Sequence, residues 1–239
     1  MYTCASCGVY ECRQANREHL PKNCPTRDEE RTDNLISRYI LPENKNFNEK
    51  TAEVDVIGYC KWTRLEETIE FCKLMDYQKI GLAFCSGLRW ESKIIDQVMK
   101  DHGLNVVSVI CKAGGVNKKR LGLIEKHPEI VDNFEAMCNP ILQAELLNEQ
   151  KTEFNIMVGL CVGHDSLFMK YSNVMATTLI AKDRVLAHNP IGSVYCAQSY
   201  YKKKLAKNSS KRTNKTVDPH RKNGGKTTDL PRGVSNYHN

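Results

Sequence analysis

The sequence lacks any apolar run long enough to span a bilayer. Its first residues, Met-Tyr-Thr-Cys-Ala-Ser-Cys, also lack the basic flank and the apolar segment that define a secretory signal peptide. These two absences exclude the usual signals for insertion into, or export across, a membrane. We therefore expect a cytoplasmic protein with no membrane partner.

The sequence also lacks a basic body, although its formal net charge is +7. Residues 201–239 contain eleven Lys and Arg but only two Asp, so the rest of the chain is slightly acidic. A nucleic-acid-binding groove in the main domain is therefore not expected. The tail is rich in Lys, Asn, Ser, Thr and Gly, which is typical of a disordered segment. It would contact nucleic acid only weakly, through phosphate groups.

Cysteine, by contrast, is abundant, with eleven residues in the chain. A disulfide framework is not expected, because the cytoplasm is reducing and the number is odd. Metal ligation by a subset is the better explanation, with the other cysteines serving as small buried apolar side chains.

Four cysteines lie within the first 24 residues, at Cys4, Cys7, Cys12 and Cys24. The two-residue gap between Cys4 and Cys7 allows both sulfurs to face one ion. Four thiolates suit tetrahedral zinc or an iron–sulfur cluster. Zinc ribbons usually repeat the close pair, and here the pair occurs once, which favours a cluster. We predict that residues 1–50 form a small metal-binding arm with a linker.

The remaining pattern predicts an α/β fold. Thr63 and Glu66 form a capping box at a helix start, and continuous apolar strands alternate with helices, which is typical of a mostly parallel sheet covered on both faces. Strands are predicted at 79–85, 105–111, 154–161, 177–181, 185–188 and 191–196. Helices are predicted at 35–40, 64–75, 90–102, 128–137 and 141–148, with a linker at 42–50. We expect a three-layer Rossmann-like domain over 51–200 and a basic disordered tail over 201–239.

Three of the predicted strands end in cysteine, at Cys85, Cys111 and Cys161, and each cysteine is followed closely by glycine. The carboxyl ends of parallel strands lie along one edge, which is where such sheets bind ligands. Cys138 precedes a helix that begins at Pro140, where exposed N–H groups favour a thiolate. These four cysteines are the predicted ligands of a cofactor in one crevice.

The turn after Cys161 adds His164 and Asp165, and His188 lies further along the chain. Three hypotheses fit: a cluster held by cysteines, a zinc or iron site that includes His164, and a reactive Cys161 thiolate with His164 as its base. Asp165 would then either orient His164 or cap the following helix. Cys161, His164 and Asp165 are the candidate catalytic residues.

Several motifs in order resemble a known family. They are the N-terminal C-x2-C-x4-C arm, Gly-Leu-Ala-Phe-Cys85, Cys111-Lys-Ala-Gly-Gly, Cys138-Asn-Pro-Ile, Gly-Leu-Cys161-Val-Gly-His-Asp, Lys182-Asp-Arg-Val and His188-Asn-Pro. The chain resembles, over residues 1–200, a prokaryotic family of uncharacterised metal-binding proteins that is frequent in anaerobes and whose domain has no assigned function. The resemblance implies metal binding and no assigned reaction.

Three functional hypotheses follow. The first is a metalloprotein with an iron–sulfur cluster or zinc in the arm and a second metal or cluster in the crevice, acting in redox chemistry or electron transfer with a partner protein. The second is a zinc-bearing binding or sensor module without catalysis. The third is a thiol enzyme that acts on a small anionic molecule. Whether the chain is an enzyme is left open by its sequence.

Overall fold

A computed structural model describes residues 1–122 and 134–206. The chain divides into two compact units, Met1–Gln78 and Lys79–Asn239. The domain boundaries predicted near residues 50 and 200 stay predictions. Most of the helix predicted at 128–137, and the predicted disordered tail from residue 207 onward, lie outside the described residues.

The first unit is helical after its cysteine-rich start. Its helices are α1 (Glu29–Tyr39), α2 (Pro42–Gly58) and α3 (Arg64–Leu74). The Asp28 side chain caps α1 by accepting a hydrogen bond from the Arg31 N–H at 3.0 Å. The capping box predicted at Thr63 and Glu66 is present at the start of α3. The four N-terminal cysteines precede all three helices.

The linker predicted at residues 42–50 is wrong, because this segment is the first half of α2. Pro42 occupies the first turn of the helix, where its fixed φ suits the backbone and its missing N–H costs nothing. A polar sequence after a proline was interpreted as a linker, whereas these residues form a largely exposed helix. Charge composition alone does not distinguish an exposed helix from a linker.

The second unit contains a four-stranded sheet in which every pairing is parallel. Its strands are β1 (Lys79–Phe84), β2 (Asn105–Ile110), β3 (Phe154–Val158) and β4 (Ala176–Ile180), in the order β2-β1-β3-β4. Its helices are α4 (Arg89–Asp101), α5 (Pro140–Glu149), α6 (His164–Tyr171), α7 (Ile191–Tyr195) and α8 (Lys202–Leu205). The predicted parallel α/β fold is confirmed. Within the described residues, no helix has the length and apolar character needed to cross a membrane.

The core lies on the central strands. Every residue of β3 is buried, and α4 and α5 each pack on β1 and β2. One buried cluster joins Leu147 of α5 and Phe168 of α6 to Met157 of β3, and it includes Cys85 and Cys111. Burial on both faces explains why these strands are continuously apolar in the sequence. The cysteines at the strand ends are therefore held in place by the core.

Two predicted strands are wrong. Residues 185–188 form a turn, and Ile191–Tyr195 is the short helix α7. The Asp183 carboxylate bends the chain by accepting hydrogen bonds from the N–H groups of Val185 and Leu186. Short apolar runs are compatible with either strand or helix, so their periodicity could not separate the two.

The strand order creates a switch point between β1 and β3. From β1 the chain passes to β2 on one side, and β3 then pairs with β1 on the other side. In open parallel sheets a crevice forms at such a point, beyond the carboxyl ends of the strands. Cys85, Cys111 and Cys161 follow the strands at this edge.

Candidate functional site

Two of the cysteines extend the hydrogen-bond ladder of the sheet by one residue. The Cys111 N–H donates to the Phe84 carbonyl at 2.8 Å, and the Cys85 N–H donates to the Val158 carbonyl at 3.0 Å. The backbone of each cysteine is therefore as well fixed as the strand before it. Cys161 lies three residues beyond the end of β3, in the turn that leads to α6.

Cys138 is the fourth cysteine at this edge, and the start of α5 determines its position. The N–H of the next residue, Asn139, donates to the Cys111 carbonyl at 2.7 Å. The Asn139 side chain also caps α5 by accepting from the Leu142 N–H, and Pro140 fills the first turn. The helix cap thus docks Cys138 beside the end of β2.

These four cysteines line one pocket. The rest of its lining consists of Pro140, Gln143, Leu160 and His164. Cys85 is 6% exposed and Cys111 is 2% exposed, whereas Cys138 and Cys161 are half-buried. The space between the lining side chains is too narrow to admit a water molecule. The structure therefore brings together the cysteines and the histidine that were predicted to share a crevice, while their roles as ligands stay predictions.

The thiols of the pocket differ in acidity. A hydrogen bond with Cys111, helped by the positive charge of Lys112, lowers the pKa of Cys138 to about 6 against the opposing effect of burial. A hydrogen bond with the same Cys111, together with burial, raises the pKa of Cys85 to about 12. The Ser86 N–H donates to the Cys111 sulfur at 3.3 Å. Cys138 therefore ionises at lower pH than Cys85.

Cationic side chains surround the sulfurs. The Arg184 guanidinium donates to the Cys161 sulfur at 3.2 Å, and Lys182 lies close enough to Cys85 to oppose the rise of its pKa. Lys112 acts on Cys138 through its charge. Positive charge beside a thiol favours its thiolate, which is the form that binds metals and attacks electrophiles.

His188 does not line this pocket. Its ring Nδ1 accepts a hydrogen bond from the Asp183 backbone N–H at 3.0 Å, and the backbone N–H of His188 donates to the Asp183 carbonyl at 2.8 Å. These two bonds close the loop that carries Arg184. His188 therefore holds this loop.

His164 and Asp165 lie at the start of α6 but face different partners. His164 lines the pocket, whereas the Asp165 carboxylate accepts hydrogen bonds from the N–H groups of Gly163 and Ser166 at 3.0 and 2.8 Å. Of the two roles predicted for Asp165, these bonds favour capping of the helix start. The catalytic roles of Cys161, His164 and Asp165 stay predictions.

The N-terminal cysteines lie in a different setting. Cys4 and Cys12 are exposed, Cys7 and Cys24 are half-buried, and each lies in or beside a short 3-10 turn. In residues 1–27, which the structure describes completely, Leu20 is the one buried side chain. Hydrogen bonds from the backbone of Tyr10 and Val9 lower the pKa of Cys7. Local turns, rather than a hydrophobic core, hold this group of thiols.

A preformed metal site is absent at both places. Within residues 1–122 and 134–206, no three His, Cys, Asp or Glu side chains are arranged so that they could hold a metal ion. Metal binding by the predicted ligands therefore requires some of their sulfurs to move.

Sequence analysis missed Gln143, and it gave Lys182 no role beyond a motif. Gln143 is fully buried in α5, between Leu142 and Ala144. The signal that could have identified Gln143 was its place as a polar residue on the otherwise apolar inward face of this helix. The positions of Lys182 and Arg184 depend on the loop after β4, of which residues 185–188 were predicted as a strand.

An uncharacterised protein from the archaeon Methanocaldococcus jannaschii, MJ0455, is 46% identical to this chain over 202 residues, covering 82% of the chain and 97% of that relative. No solved structure matches the chain significantly. A family described as "Protein of unknown function (DUF1847)" matches residues 24–179, which include all four pocket cysteines. The chain therefore belongs to the DUF1847 family.

Proposed function

We propose that this protein binds a metal centre in the pocket at the carboxyl edge of its sheet, with Cys85, Cys111, Cys138 and Cys161 as the available thiolates. One observation carries the proposal: four cysteines from three strand ends and one helix start line a single pocket. A hydrophobic core explains one buried cysteine, but it gives no reason for four sulfurs to meet at the point where this sheet order places a ligand.

The charges around the pocket support the same proposal. Arg184 donates a hydrogen bond to the Cys161 sulfur, Lys182 acts to lower the pKa of Cys85, and Lys112 acts to lower the pKa of Cys138. Cations have no stabilising role beside neutral apolar thiols, whereas they offset the negative charge of thiolates bound to a divalent ion. The protein thus supplies soft donors together with the charge that balances them.

The narrow space between the sulfurs favours a single ion over a cluster. Four sulfurs at about 2.3 Å from a tetrahedral ion lie about 3.8 Å from one another. Among the residues that the structure describes, no three such side chains are yet arranged to hold an ion. Loading would then need rotation of the cysteine side chains between staggered positions. An iron–sulfur cluster would also need room for its own iron and sulfide atoms, in a pocket that does not admit water.

The arm is proposed as a second metal site, formed by Cys4, Cys7, Cys12 and Cys24. Its support is the pair of backbone hydrogen bonds that lowers the pKa of Cys7. Bonds of this kind stabilise a thiolate before any ion arrives. Zinc or an iron–sulfur cluster fits four cysteines in short turns.

The first experiment is metal and acid-labile sulfide analysis, with a visible spectrum, of the full chain purified without oxygen. We expect two metal equivalents in the wild type, and one fewer in Cys111→Ser and in Cys7→Ser. Cys60→Ser is the matched control, because Cys60 is an exposed thiol outside both groups and its loss should leave the metal content unchanged. Iron with sulfide would favour a redox role with a partner protein, and zinc without colour would favour a binding or sensor role.

A metal content that does not fall in Cys111→Ser would contradict the pocket site. The second candidate function would then gain support, namely a thiol enzyme acting on a small anion. The observation that favours it is the low pKa of Cys138 beside Lys112, with Arg184 at Cys161. Its signature would be rapid alkylation of one cysteine in metal-free protein, blocked by an anionic ligand.

A further inference from the structure

Gln143 carries an unpaired oxygen in the wall of the cysteine pocket. Its side chain is fully buried, and its Oε1 has no hydrogen-bond partner among the residues that the structure describes. Its Nε2 donates to the carbonyls of Phe84 and Val109, at 3.2 and 2.8 Å. Buried polar atoms almost always have a hydrogen-bond partner. An unpaired oxygen on a residue that lines this pocket therefore indicates a missing partner.

The two hydrogen bonds donated by Gln143 determine which atom of its side-chain amide is unpaired. Oxygen and nitrogen of a glutamine are assigned from their hydrogen bonds. Exchanging them would place Oε1 against two carbonyl oxygens, which are acceptors only. The amide nitrogen therefore faces the ends of β1 and β2, and the oxygen is the atom without a partner.

A water molecule does not satisfy this oxygen, because the pocket is too narrow to admit one. A divalent transition-metal ion is smaller than water, and an amide oxygen is among the donors that proteins give to such ions. An ion bound in the pocket would supply the missing partner of Gln143 Oε1.

The four sulfurs divide into an inner group and one outer member. Cys85 and Cys111 are both buried, and Cys138 is held beside them because the N–H of the next residue, Asn139, donates to the Cys111 carbonyl at 2.7 Å. The Cys161 sulfur instead accepts from the exposed Arg184, and the residue after Cys161, Val162, is 92% exposed. Cys161 is thus the thiol at the open side of the pocket.

We propose that a single divalent ion is held by the thiolates of Cys85, Cys111 and Cys138 and by Oε1 of Gln143, with Cys161 as an outer thiolate that the ion does not need. This inference rests on the proposed function and names the donor set of the same site. It also leaves the ion approachable from the side of Cys161 and Arg184.

The test is X-ray absorption at the zinc edge of the zinc-loaded full chain carrying Cys7→Ser and Cys12→Ser, so that the pocket alone is observed. We expect three sulfurs at about 2.3 Å and one oxygen at about 2.0–2.2 Å from zinc. His164 is the competing light-atom donor in the wall, and imidazole would reveal itself by its outer-shell scattering. His164→Ala should retain the oxygen shell.

Gln143→Met should lose the oxygen shell, whereas Gln150→Met, an exposed change of the same kind just after α5, should keep it. Cys161→Ser should keep one zinc in the pocket, and Cys111→Ser should lose it. Cys161 is near the surface, so its variant remains informative even if Gln143→Met does not fold.

A shell of four sulfurs without oxygen would overturn this donor set, and so would loss of zinc in Cys161→Ser or imidazole scattering that disappears in His164→Ala. In each of these cases the pocket still binds zinc, so the proposed function stands. A pocket that binds no zinc in the parent protein would overturn both proposals.

Discussion

The two groups of four cysteines are placed by different physical means. Cys85 and Cys111 extend buried strands, and they belong to the same apolar cluster as Leu147 and Phe168. The arm cysteines lie in short turns joined by polar contacts, such as the two hydrogen bonds from the Arg27 guanidinium to the Leu20 carbonyl. The hydrophobic core of the second unit therefore fixes the position of the pocket cysteines, and local turns fix the position of the arm cysteines.

For the two proposed metal sites, this difference predicts that metal binding is separate from folding in the second unit and coupled to folding in the arm. A segment that buries almost no apolar surface gains little free energy from folding, so we expect bound metal to supply what a core does not. The pocket, in contrast, is built by a sheet that is stable for other reasons. Three measurements test this contrast between the pocket and the arm.

The largest expected effect is loss of structure in the arm when metal is removed. We expect a chelator under reducing conditions to expose the arm to trypsin at Arg13, Arg17 and Lys22, with cleavage faster by about tenfold or more. Sites within β1 to β4 should stay protected. Timed digestion with mass spectrometry measures both. Equal cleavage rates with and without metal would mean that the turns of the arm hold without an ion.

A second effect is on the free energy of unfolding. Leu147→Ala removes a fully buried side chain from the cluster that holds Cys85 and Cys111, and it should cost about 2–5 kcal/mol. The matched change in the arm, Val9→Ala, removes a side chain that is 39% exposed and should cost about 0.5 kcal/mol or less. Urea unfolding followed by circular dichroism measures both. A cost for Val9→Ala comparable with that of Leu147→Ala would contradict the contrast between the two groups.

The smallest effect is a shift in thiol acidity without a change in fold. In metal-free reduced protein, Cys138 should be alkylated by iodoacetamide at a rate that rises through pH 6, because its lowered pKa of about 6 puts the thiolate form above that pH. Cys111→Ala removes the hydrogen bond that contributes most, so the rise should move to higher pH.

Cys7 provides the internal control for that experiment. Its pKa is lowered by backbone hydrogen bonds from Tyr10 and Val9, which Cys111→Ala does not touch. Peptide mapping of the labelled protein reports both residues at once. A profile of Cys138 that stays at pH 6 in Cys111→Ala would assign the low pKa to Lys112 instead.

Much of the pocket could be predicted from the sequence because three of its cysteines follow strands that are mostly apolar. Parallel pairing then brings Cys85, Cys111 and Cys161 to one edge, and Asn139-Pro140 marks the helix start that adds Cys138. Nothing comparable marks Gln143. Its role depends on tertiary hydrogen bonds to the ends of two strands, which leave no local pattern in the chain.

The regions that were predicted wrongly share a physical cause. The apolar residues of α7 are too few to show whether their period is that of a helix or a strand. Pro42 begins α2 although prolines also occur in linkers. In both places the decision depends on capping and on neighbours, and neither is visible in composition.

The strand order β2-β1-β3-β4 also has a consequence for protein synthesis. The arm cysteines all leave the ribosome within the first 24 residues, so they can capture an ion early. The pocket has two of its thiols at the ends of β1 and β2, a third at the start of α5, and β3 completes the switch point last. For the two proposed metal sites, this order of synthesis predicts that the arm is filled first and that the pocket is loaded only after the sheet has formed.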